Sequence, residues 1–141
     1  MFVHRQTNDR SMSTQTAACS CGQLRAICEG APMRVSLCHC LECQKRTGSL
    51  FGVAARFQRE RVTIEGRSTT YRRNSDDGNW VDFRFCPDCG STVWWGLEKQ
   101  PGVIAVAVGA FADPDFPMPA RSVYQNRRHR WLELPEKIER I

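Results

Sequence analysis

Apolar and polar residues alternate in short runs along most of this chain, the pattern of half-buried strands. The clearest alternation is Trp80 to Phe85, where Val81, Phe83 and Phe85 share one face and Asp82 and Arg84 the other. Leu24, Ile27 and Cys28 mark an earlier strand with less regular alternation, and Arg34 to Leu37 a second. Leu50 to Phe57, Val62 to Glu65 and Thr69 to Arg73 follow, the middle one stopped by Gly66. Thr92 to Trp95, Val103 to Val108 and Arg121 to Tyr124 complete the set. Asn74 to Asn79 is a polar loop. Asp113 to Pro119 is a rigid one, because its prolines fix φ and remove backbone donors. Leu41 to Arg46 is the one good place for a helical turn, closed by Gly48. About eight or nine short strands with little helix predict a mainly β domain of stacked sheets.

A length of 141 residues suits one domain with a core of its own. Residues 1–16 are polar and aperiodic and are expected to form a flexible tail. The domain is expected over residues 17–135, with residues 136–141 as a C-terminal tail. No apolar run approaches the roughly 20 residues that span a bilayer. The longest, Val103 to Ala112, is interrupted by Gly109. Residues 1–16 lack the apolar stretch of a secretory signal, so a cytoplasmic location is expected.

The formal charge is +5 with cysteines counted as neutral. Seven metal-bound thiolates with two divalent ions would bring it to about +2. The basic excess is thus a weak argument for nucleic-acid binding, and a solvated mixed surface explains it better.

Cysteine changes the picture most. Eight cysteines without a secretion signal argue for metal or redox chemistry over a disulfide framework. One set combines Cys19-Ser20-Cys21 with the distant Cys86-Pro87-Asp88-Cys89-Gly90. Four thiolates make a closed tetrahedral zinc site with no position for substrate, so its expected role is structural. The other set, Cys38-His39-Cys40-Leu41-Glu42-Cys43, packs three thiolates into a short segment. Three ligands with no fourth cysteine is the pattern of a zinc that keeps one position open for chemistry. A structural site with a mixed fourth ligand is the alternative. His39 is a possible ligand, but in an extended segment its side chain points away from the two cysteines that flank it. Cys28 lies in an apolar strand and reads as a small buried hydrophobe.

These motifs resemble the glutathione-dependent formaldehyde-activating enzyme family, also called the CENP-V/GFA family. The resemblance rests on Cys19 to Arg25, on Cys38 to Ser49 and on Phe85 to Ser91. It extends through Val108-Gly109-Ala110-Phe111 and Asp113-Pro114 to Trp131. It implies an Mss4-like, mainly β fold of stacked antiparallel sheets with two zinc ions. One zinc is implied on Cys19, Cys21, Cys86 and Cys89, and a catalytic one on Cys38, Cys40 and Cys43. The implied activity joins glutathione to formaldehyde to give S-hydroxymethylglutathione, a carbon–sulfur lyase-type reaction. The extra Cys28 is not required by the family pattern.

Lys45, Arg46, Arg127 and Arg128 are candidate partners for the carboxylates of glutathione, with solvated surface cations as the plainer reading. Thr47 and Ser49 either hydrogen-bond substrate or cap the turn after Cys43. Of Trp94 and Trp95, one should line a pocket and the other pack in the core. Tyr124 and His129 are candidate acid–base groups. A non-catalytic zinc module binding protein or nucleic acid through Arg127 to Arg130 is the competing function. The fourth ligand of the central cysteines separates the two.

Overall fold

In the computed structural model of the chain, residues 13–141 are described. In chain order the strands are β1 (Thr14–Ala18), β2 (Arg25–Glu29) and β3 (Arg34–Cys38), followed by α1 (Leu41–Thr47). Next come β4 (Gly52–Gln58), β5 (Val62–Glu65), β6 (Thr69–Asn74), β7 (Trp80–Phe85), β8 (Thr92–Leu97) and β9 (Gln100–Ala107). The last two are β10 (Arg121–Val123) and β11 (Glu139–Arg140). They form a three-stranded sheet, β1-β2-β5, and an eight-stranded sheet, β11-β10-β3-β4-β9-β8-β7-β6. The fold is mainly β, with stacked and largely antiparallel sheets. At one edge β10 runs parallel to both β3 and β11, because residues 108–120 carry the chain back across the sheet without a hairpin.

The core lies between the two sheets. Ala17, Leu24, Ala26 and Cys28 come from the smaller sheet and its β1–β2 connection. They meet Val35, Ala55, Phe57, Trp94, Ile104 and Val106 of the larger one. Phe57 is 1% exposed and its ring packs 6.3 Å from that of Phe111. On the opposite face of the large sheet a smaller cluster holds Val81, Phe83, Trp95 and Ala105. Strand β9 serves both faces in succession, which is why Ile104, Ala105 and Val106 are all buried.

Most expected strands occur within a few residues of their predicted bounds, and the helix ends as predicted at Gly48, which has φ +66°. Two elements differ from expectation. Of the tail expected over residues 1–16, residues 1–12 lie outside the described residues, whereas Thr14 to Thr16 are the start of β1. That strand has almost no apolar signal. Its backbone is held by pairing with β2, from Thr14 opposite Glu29 to Ala18 opposite Arg25. The expected C-terminal tail, residues 136–141, contains β11 and the buried Ile138. A two-residue strand is too short for periodicity to reveal, and its partner β10 is distant in sequence.

Replacing Phe57 by Ala should lower the unfolding free energy by about 3–5 kcal/mol, measured by urea denaturation, since the ring is fully enclosed between the sheets.

Candidate metal centres

The first cluster forms where two connections meet. Cys19 and Cys21 lie in the β1–β2 turn, Cys86 and Cys89 in the β7–β8 turn, and all four Sγ atoms lie within 4.8 Å of one another. The two turns are built alike. Cys19 N–H donates to Leu24 O and Cys86 N–H donates to Ser91 O, both at 3.0 Å. Each turn then reverses at a glycine after its second cysteine, Gly22 (φ +83°) and Gly90 (φ +80°), a backbone region that favours glycine.

Cys19 and Cys21 sulfurs are 3.5 Å apart, and those of Cys21 and Cys86 3.6 Å. A tetrahedron of sulfurs about 2.3 Å from a zinc ion has an edge of about 3.8 Å, whereas a disulfide is about 2.05 Å. Donors are aimed at the sulfurs from outside. Leu24 N–H points to Cys19 Sγ at 3.3 Å, Asp88 N–H to Cys86 Sγ at 3.4 Å, and Gln23 Nε2 to Cys86 Sγ at 3.0 Å. Such bonds stabilise thiolate charge and orient the ligands. Gln23 is itself held by the backbone of Arg67, donating to its carbonyl at 2.8 Å and accepting from its N–H at 2.9 Å. The chain approaches so closely there that a Cβ on Gly66 would fall 2.0 Å from the carbonyl oxygen of Gln23.

The second cluster lies at the end of β3 and the start of α1. Cys38, Cys40 and Cys43 bring their Sγ atoms within 4.8 Å of one another. Cys40 is the N-cap of α1 and its sulfur accepts from Cys43 N–H at 3.3 Å. The helix therefore begins in the geometry that turns Cys43 back toward Cys38. Hydrogen bonding from Cys38, then from Cys43, holds the Cys40 thiol far below its usual value, with Arg73 adding in the same direction. The bond to Cys40 drives Cys38 upward. Cys43 is shifted upward as well, so the negative charge of the group falls on Cys40. Among the described residues no fourth His, Cys, Asp or Glu joins this group. The donor chemistry of both clusters suits a soft or borderline divalent ion, and zinc fits both. Each could hold a metal ion.

His39 takes no part in that group. The pleat turns it to the opposite face, where it is fully buried with Nε2 2.8 Å from Ser122 Oγ. Cys28 is also fully buried and away from both clusters, and burial pushes its thiol up to about 12.

A pocket of about 380 Å³ opens beside the second cluster, lined by Cys38 and Cys43. Its floor is made of small side chains on the central strands, Ser36, Gly52 and Ala54. Larger groups surround it, including Phe83, Trp95, Trp80 and Tyr124. A Cβ on Gly52 would lie 2.9 Å from Arg46 Nη2 and 3.7 Å from Cys43 Sγ, so this floor position is shaped for the contents above it.

The predicted site residues are distributed unevenly. Arg46 lines the pocket, its guanidinium carbon 4.6 Å from the Trp95 ring centroid and 5.2 Å from that of Phe83. Burial lowers its pKa, and the adjacent Cys43 sulfur opposes that shift. Lys45 instead is exposed, 3.7 Å from Glu42 on the helix surface. Thr47 Oγ1 donates to Cys43 O at 2.9 Å and accepts from Ser49 N–H at 3.1 Å, so both residues finish the helix away from the pocket. Arg127 meets α1 through its carbonyl, which accepts from Gln44 Nε2 at 3.1 Å, and the Arg128 guanidinium donates to Leu132 O. His129 Nε2 lies 3.0 Å from Gln44 Oε1, outside the pocket lining. Trp95 is on the pocket face and Trp94 in the core. Tyr124 stands at the pocket with φ +59°, an uncommon conformation for a bulky residue.

Sequence reading missed Arg73, which lines the pocket with its guanidinium carbon 4.8 Å from the Phe83 centroid. It also missed Arg56. Both occupy the pocket-facing phase of their strands. Only cross-strand register, such as Arg73 opposite Val81, ties that phase to a wall of the pocket.

Fold and clusters together define a mainly β protein with two thiol centres able to hold metal, one enclosed by two turns and one opening onto a pocket. The family of glutathione-dependent formaldehyde-activating enzymes (GFA) matches residues 14–127, and the chain belongs to that family. No curated protein sequence is significantly similar to it. Among solved structures it resembles the crystal structure of a Rhodobacter sphaeroides protein, at 20% identity and a TM-score of 0.53. That match covers 67% of this chain and 85% of the other, and it bears on fold alone.

Exchanging Cys40 for Ser should reduce bound metal from two ions to one per chain by elemental analysis and leave the circular-dichroism spectrum unchanged. Loss of the folded spectrum would show that the second cluster also holds the domain together. Replacing Gln23 by Ala should weaken metal at the first cluster by about 10–100-fold in a chelator competition, because one thiolate loses its outer donor.

Proposed function

We propose that this chain is a zinc-dependent carbon–sulfur lyase-type enzyme that joins a thiol such as glutathione to formaldehyde or a related aldehyde. The observation that carries this reading is the three-cysteine cluster open to a pocket, with no fourth side-chain ligand among the described residues. Membership of the GFA family supports the same chemistry.

Zinc held by Cys38, Cys40 and Cys43 would offer one further position to an incoming thiol and lower the thiol's pKa, which is about 8.5 when free. The chain's own groups do the rest. Arg46 and Arg73 present two guanidiniums on the Phe83 ring beside the sulfurs, and neither makes an ion pair with a carboxylate among the described residues. They suit a carboxylate of the thiol substrate, which Arg binds through paired N–H donors. Trp95, Phe83 and Trp80 exclude water from the apolar part of the ligand. Tyr124, at the mouth of the same pocket, is the group best placed to donate a hydrogen bond to the aldehyde oxygen.

In the reaction the thiolate sulfur forms a bond to the carbonyl carbon, and the carbonyl π pair moves to oxygen. That oxygen takes up the proton the thiol released. The product, RS–CH₂–OH for formaldehyde, contains every atom of the two reactants, so no redox partner is required. A reducing cytoplasmic setting suits eight cysteines that form no disulfide.

The test mixes zinc-loaded protein with glutathione and formaldehyde and follows adduct exchange by NMR. Exchange faster than the spontaneous reaction is expected, and it should fall to the spontaneous rate in Cys40→Ser. No acceleration would eliminate the formaldehyde reading.

A further inference from the structure

The pocket face of the large sheet holds a second group of cations, separate from Arg46 and Arg73. Arg34 and Arg56 are direct cross-strand partners of β3 and β4. Arg121 of β10 stands opposite Ser36, the next residue of β3 on that same face. Like charges directly opposite each other on a sheet are destabilising. Here three meet without compensation. Among the described residues no carboxylate oxygen lies within 4.0 Å of any of the three guanidiniums. Glu139, which the parallel register sets beside Arg121, is exposed and makes no such pair.

The donors are also under-used. Arg56 donates to Gln100 Oε1 at 3.1 Å, one bond from a group with five N–H donors. The Nε atoms of Arg34 and Arg56 are buried with no hydrogen-bond partner among the described residues. An unsatisfied buried donor is unfavourable. Burial, with the neighbouring charges of Arg34 and Arg121, pushes the Arg56 guanidinium below its usual value. Arg56 and Ser36 line the same pocket as Cys38 and Cys43.

We propose that Arg34, Arg56 and Arg121 form a binding site for an oxyanion, a carboxylate or phosphate group of a ligand that meets Arg56 at the edge of this pocket and Arg34 and Arg121 beyond its lining. Such a group would relieve the repulsion among the three cations and occupy donors that have no partner among the described residues. Arg56 lies four residues along β4 from Gly52, the partner of Cys38. The anion site does not rest on the thiol reading.

The experiment records the arginine Nε–Hε resonances of the zinc-loaded protein. It is titrated with inorganic phosphate and, separately, with succinate, at ionic strength held constant by chloride. Saturating shifts at Arg34, Arg56 and Arg121 are expected, and the anion that saturates first identifies the preferred group. Arg56→Gln should weaken the saturation at least about tenfold. Arg25→Gln, which removes a cation of the other sheet, should leave it unchanged. If Arg56→Gln does not fold, Arg121→Gln at the sheet edge makes the same comparison. Linear shifts of equal size in the wild type and the folded variant would overturn the proposal. Neither glutathione nor formaldehyde is present, so failure of adduct formation would leave a positive result standing.

Discussion

Because successive side chains of a strand leave opposite faces of a sheet, each central strand of the large sheet serves the core and the pocket at once. On β8, Trp94 packs between the sheets while Trp95 faces the pocket. On β9, Ile104 and Val106 face the core while Ala105 joins the pocket-side cluster. At the end of β3 the same alternation sends Cys38 toward the pocket and His39 to a buried bond with Ser122. A one-residue slip in the β3–β4 register would exchange these faces, losing both the core and the cluster. The register is thus under two constraints, apolar burial on one side and sulfur convergence on the other.

The four-cysteine cluster couples the two sheets at their turns. Its ligands come from a connection within the small sheet and a hairpin of the large one, so metal there would join elements far apart in the chain. Gln23 extends the coupling to the segment after β5 through Arg67, and Ser20 adds a link to Ser91 at 3.1 Å. The three-cysteine cluster is local by contrast. It needs only the end of β3 and the first turn of α1, with Cys40 acting as helix cap and sulfur donor together. One cluster thus follows from tertiary folding, and the other is nearly complete in a single short segment.

Cations dominate the pocket face. Arg46 and Arg73 share the Phe83 ring, and cation–π contact offsets part of what burial removes. Among the described residues, Arg34, Arg56 and Arg121 have no comparable aromatic support. Arg72 pairs with the half-buried Asp82 at 2.7 Å on the strands beyond the pocket, and Lys99 with Asp77 at 2.7 Å in the pocket lining. Arginines without a carboxylate partner among the described residues thus lie on this face both beside the sulfurs and further along β4, which favours anionic ligands over neutral ones.

Local spacing was enough to read both cysteine sets, the strand-rich architecture and the helix end at Gly48, because close cysteines, alternation and a glycine stop are written within a few residues. Even the rotation of His39 away from its neighbours followed from alternation. Strands β1 and β11 were not legible, since Thr14 to Ala18 has little apolar signal and β11 is two residues long; their existence depends on partners elsewhere. The choice among surface cations was also hidden. Lys45 and Arg46 are adjacent in sequence, yet one is in solvent and the other beneath Trp95, because helix phase and the gap above Gly52 decide between them. Arg56 and Arg73 entered the pocket through cross-strand register alone. The sequence by itself determined which residues could bind metal; the tertiary structure decided which charges surround that metal, because a sheet brings side chains together across strands and not along them.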